Sequence, residues 1–120
     1  MRNYQRKKDN PYKLPHNVYM QTLYMVKDYN RLKKESNELR FLEEDPFEQM
    51  AEESELRLRR IDLQLQAVDQ ALLQIPEEYR RGVWDNIVEA APYPYIADSS
   101  TWSRWRQRFL YYIAKHAHGA

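Results

Sequence analysis

Apolar residues in this chain recur every three or four positions, and nowhere do they alternate with polar ones over the length of a strand. Val18, Thr22, Met25, Tyr29 and Leu32 form one stripe, and Tyr19, Leu23 and Val26 widen it. Pro15 suits a first helical turn, so the spacing predicts an amphipathic helix over about 15–38. Residues 37–44, with the short apolar patch Leu39, Phe41 and Leu42, read as a connection or a frayed helix end. Asp45-Pro46-Phe47-Glu48 then combines a capping residue, a first-turn proline and a glutamate placed for a capping box. Phe47, Met50, Ser54, Leu58, Ile61, Leu65, Val68, Leu72 and Ile75 continue by threes and fours, the pattern of a bundle or coiled-coil seam. A second row, Leu56, Leu63, Ala67 and Ala71, broadens that face toward bundle geometry. Two partners satisfy a seam over 47–75: the first helix of the same chain, or a second copy in a homodimer.

Pro76 ends or kinks this helix. Tyr79, Val83, Trp84, Ile87 and Val88 give the next helix, about 76–90, its apolar side. Pro92-Tyr-Pro-Tyr95 must be extended, because proline disfavours helix at the residue before it. Asp98, Ser99 and Ser100 offer caps for a last helix. In it, Trp102, Trp105, Phe109, Tyr112, Ile113 and His116 share one face, while Arg104, Arg108, Tyr111, Lys115 and His118 follow a neighbouring track. With only two glycines, tight hairpins are disfavoured. The expected fold is all-α: an antiparallel pair of long helices over 15–75, then a two-helix C-terminal element over 76–120. A basic arm, 1–14, flexible or partly docked, precedes them.

Charge changes this picture through its distribution more than its sum, which is +1. Residues 1–15 hold five Lys or Arg against one acid, residues 16–34 four against one, and residues 35–62 ten acids against four bases. From Ser99 onward there are four Lys or Arg and no acid. Basic ends around an acidic middle fit either an intramolecular match or an anionic partner met at the ends. Lys27, Arg31, Lys33 and Lys34 also lie where positive charge offsets the dipole of the first helix.

Several chemistries drop out. No cysteine is present, so disulfides and thiolate metal sites are excluded and a reducing cytoplasm is the expected setting. No apolar run approaches the ~20 residues of a membrane span, and the basic start lacks a signal peptide's apolar stretch. His116 and His118 do not share a helix face, and His16 is the only other histidine, so no metal and no cofactor is expected. The acidic runs have no nucleophile beside them, and no glycine-rich phosphate loop occurs. An enzyme is not expected.

Two stretches carry a family resemblance. Ala71-Leu-Leu-Gln-Ile-Pro-Glu-Glu-Tyr-Arg-Arg81 resembles the beginning of region 4 of bacterial sigma factors and related phage regulators, and Ser100-Thr-Trp-Ser-Arg-Trp-Arg-Gln-Arg108 resembles the start of their recognition helix. In size and wording the chain is similar to small proteins of Firmicutes phages, nearest the RinA and ArpU late transcription regulators. The resemblance covers residues 71–117 and implies a bacterial host cell and a helix-turn-helix. It departs at Ala90-Ala-Pro-Tyr-Pro-Tyr-Ile-Ala-Asp98, which cannot supply the family's first helix of that motif, so a diverged form is implied.

The leading expectation is a phage-type regulator that binds DNA through its basic C-terminal helix. Arg104, Arg106, Arg108 and Lys115 would make most contacts, as an exposed cluster, with Arg80, Arg81 and the arm assisting. The rival is a helical protein-interaction module, a phage factor that captures or inhibits a host protein complex, using the long seam and exposed aromatics.

Overall fold

The longest helix places the others. In the computed structural model, which describes residues 10–45 and 50–118, five helices and no strand occur among the described residues: α1 His16–Lys27, α2 Tyr29–Glu43, α3 Glu52–Leu73, α4 Glu77–Glu89 and α5 Ser99–His118. The all-α expectation holds. One side of α3 is buried along its length through Leu58, Ile61, Leu65, Ala67, Val68 and Ala71. It packs most heavily on α5 and next on α2. The Leu58, Ile61, Leu65 and Val68 row of the seam is thus packed within the chain; Phe47 lies outside the described residues. Leu56 and Leu63, expected to broaden the apolar packing, instead point to solvent.

The first predicted helix is two. Asp28, at φ −90° and ψ 1°, separates α1 from α2. Its carboxylate accepts from Arg31 at 3.1 Å, an i,i+3 ion pair on the helix surface. Helix α1 packs on α4 and α5, while α2 runs back along α3. That second pair is antiparallel: Tyr29 Oη donates to Asp69 at 2.7 Å, and farther along α2, Ser36 and Arg40 both donate to Asp62. Burial and then the bond to Asp69 push the Tyr29 pKa up to about 12. Arg57 grips Glu35 with two bonds of 2.9 and 2.8 Å and holds that carboxyl below its ordinary pKa. Helix α2 also runs to Glu43, through the stretch read as a connection or a frayed helix end, so it is the second of these.

Helix α3 begins later than the Asp45-Pro46 signal suggests. Met50 and Ala51 are not helical, and the Ala51 carbonyl accepts from Ser54 and Glu55. Glu52, Glu53 and Glu55 occupy the first turn, where the dipole favours acids. Pro46, Phe47 and Glu48 of the proposed cap lie outside the described residues.

The main core gathers Leu14, Tyr19, Leu23 and Val26 with Val68, Ala71 and Ile75, then Val83, Ile87, Trp102, Phe109, Leu110 and Ile113. It draws on both 15–75 and 76–118, so the expected division between them is one of chain order and not of packing. A smaller cluster, Leu32, Ile61 and Leu65 with Tyr29 and Leu39, holds the outer half of the α2–α3 hairpin. The molecule is accordingly elongated, 55 × 28 × 22 Å.

Candidate nucleic-acid interface

Helix α5 is anchored at its start. Asp98 accepts from the Thr101 amide at 2.8 Å, and that bond holds its carboxyl below the ordinary range. The cap's contribution is therefore present above the usual carboxylate pKa and fades as pH falls through the lowered one. The preceding segment, residues 90–98, is not helical and is tied down at both ends. Asn86 Nδ2 donates to the Ala91 carbonyl at 2.8 Å, and Trp102 Nε1 to the Pro94 carbonyl at 3.0 Å. This segment separates α4 from α5 by far more than the ~3–4-residue turn of a helix-turn-helix.

A continuous ladder of rings sets the surface of α5. Tyr93 stacks on Trp102 at 5.4 Å, Tyr79 meets the Trp102 edge at 5.0 Å and stacks on Trp105 at 5.8 Å. The Arg108 guanidinium lies 5.0 Å from the Trp105 ring and 4.6 Å from that of Tyr12. Tyr12 in turn packs edge-on to Tyr111 at 5.2 Å and Tyr112 at 6.3 Å. Burial pushes the Tyr112 hydroxyl above its ordinary pKa. The end of the arm is therefore clamped to the Arg108–Tyr111 track, with Leu14 buried beside it. Residues 1–9 lie outside the described residues.

The six basic residues singled out in the sequence do not form one cluster. Arg104 and Lys115 are exposed and Arg108 is half-buried. Arg106 is a correction: it is only 7% exposed. Position 106 falls one turn after Trp102 and one before Phe109, which places it in the middle of the inward face. Its Nη1 donates to the Tyr19 hydroxyl at 2.9 Å, while Nε and Nη2 are buried without partners. Burial raises the Tyr93 pKa against the pull of this guanidinium. Arg80 is committed as well, donating to the carbonyls of Ile75 at 3.0 Å and Leu73 at 3.1 Å, so that it closes the free end of α3. Arg81 is exposed and reaches Asp85 at 3.1 Å.

Sequence reasoning missed Tyr12. The available signal was Pro11-Tyr12-Lys13-Leu14-Pro15, where an aromatic and a leucine alternate between two residues of fixed φ, a pattern suited to docking. No protein-family model, curated protein or solved structure matches this chain.

Proposed function

We propose that this chain is a small phage-type regulatory protein that binds DNA through one face built from α5 and the basic arm. The observation that carries the reading is the Tyr12 clamp: it fixes the arm beside Arg108, on the track that also bears Arg104 and Lys115. The described end of the arm and the basic track of α5, from opposite ends of the sequence, are thereby neighbours. Arg6, Lys7 and Lys8 precede Tyr12 by six, five and four residues, and Arg2 by ten. Such a face neutralises phosphates first, and the stacked Arg108 supplies a cation that costs little further ordering on contact. Arg106 and Arg80 have structural duties and are left out of it. Regulation of transcription rests on the resemblance of residues 71–117 to the RinA and ArpU type.

The test is a salt titration of binding to generic duplex DNA. Each phosphate contact contributes a slope of about −0.9 in log affinity against log salt. Arg104→Ala with Lys115→Ala should weaken binding and lower the slope by up to about two units, with the fold intact because both side chains are exposed. Arg106→Met should leave the slope unchanged. A parent protein that binds no duplex even at low salt would sink the DNA reading. The second reading, a module that binds another protein, is favoured by the exposed apolar side chains Phe41, Leu42, Leu56 and Leu63 of the hairpin.

A further inference from the structure

The first half of helix α3 has an outer side that nothing in the described chain covers. Glu53, Leu56, Arg60 and Leu63 follow one another at helical spacing on it, before Ala67 takes the same track into the core. Leu63 is 66% exposed and Leu56 50%. Leucines so exposed on a helix whose opposite side is fully packed form a second apolar stripe without a partner. Beside Leu63 the surface dips into a groove of about 360 Å³ floored by Met25 and Ala67 and edged by Arg60, Gln64 and Gln70.

The charges on this side are ordered. Arg31, Arg40 and Arg57 are engaged with Asp28, Asp62 and Glu35. Arg60 and Glu53 form no ion pair among the described residues. They have opposite signs and stand about two helical turns apart, one on either side of Leu56. A stripe of this kind is its own complement when a copy is laid against it in the reverse direction. Glu53 then meets Arg60 of the second chain, Arg60 meets its Glu53, and the two Leu56 side chains meet near the axis. Leu63 faces the neighbourhood of the partner's Met50, which is half-buried at the start of α3.

We infer that the protein forms a two-fold dimer through the outer side of α3, in antiparallel register, with Glu53 paired to Arg60 across the axis. This interface is isologous, so both charge pairs form at once. It lies on the side of α3 away from Leu58, Ile61 and Leu65, and it does not depend on the DNA reading. Arg59 sits one residue from the stripe and adds positive charge opposite the partner's Glu52 and Glu53, in the same sense.

Sedimentation equilibrium of the full chain, without nucleic acid, tests it. The parent should be a dimer. Arg60→Glu and Glu53→Arg, each alone, should weaken self-association by at least about tenfold, because each sets two like-charged pairs across the interface. Mixed in equal amounts, the two variants should recover the parent's association, since each chain's position 60 now meets an opposite charge at position 53 of the other. Unchanged far-ultraviolet circular dichroism establishes that the variants are folded, and recovery on mixing has no explanation in misfolding. A monomeric parent overturns the proposal. So does a dimer that the single variants leave intact, or one that mixing fails to restore.

Discussion

Glycine stands mid-helix at position 82 and alanine occupies the left-handed position after α4, the reverse of ordinary backbone preference. The first is explained by Trp102. A Cβ at residue 82 would come within 2.5 and 2.6 Å of its ring and 3.1 Å of Pro94. That ring is fully buried, stacked by Tyr93 and hydrogen-bonded to Pro94, so it has nowhere to go. Gly82→Ala should therefore lower stability by about 1–2 kcal/mol, overpacking outweighing the better helix propensity of alanine. At Ala90, φ 53° and ψ 29° let the Ala91 amide reach the Asp85 carbonyl at 3.2 Å and close the helix, at a steric cost that glycine avoids. Ala90→Gly should raise stability by about 0.5–1 kcal/mol, the strain relief exceeding the added freedom of the unfolded chain. Thermal melts of the two variants check both signs.

The elements show which kinds of signal a sequence carries. The α3 seam and the inward face of α5 were legible because burial is written in spacing, and Pro92 to Tyr95 because proline constrains its own backbone. The break at Asp28 was not, since a polar residue between two successive helices looks in sequence like any polar position of one helix. The candidate site was half legible: the track of Arg104, Arg108 and Lys115 could be read off, but Arg106 was assigned by residue type against its own spacing, and Tyr12 by its polar neighbours. Within the hairpin, Leu65 belongs to a cluster of only three buried side chains. Leu65→Ala should cost about 2–5 kcal/mol. It should also speed amide exchange in the outer parts of α2 and α3 more than in α5, whose protection comes from the main core. Uniform acceleration across all five helices would show that the hairpin does not open by itself.

Across the whole molecule, one large core holds α1, α4, α5 and half of α3 together, and the hairpin extends from it. The basic face proposed for DNA lies on the core, and the stripe proposed for dimerisation lies on α3, so the two can be disabled separately. Embedded in that core is a full positive charge, Arg106, with one bond to Tyr19 and two unpartnered nitrogens. A buried ion replaced by an apolar side chain of similar length commonly leaves a protein as stable or more so, by up to about 4 kcal/mol. Arg106→Met should accordingly raise the melting temperature, and a fall would show that the Tyr19 bond outweighs the lost hydration. Its consequence reaches to how the chain would evolve. In a random library selected only for surviving heat, apolar residues should accumulate at position 106 ahead of changes at Arg104, whose charge already sits in water.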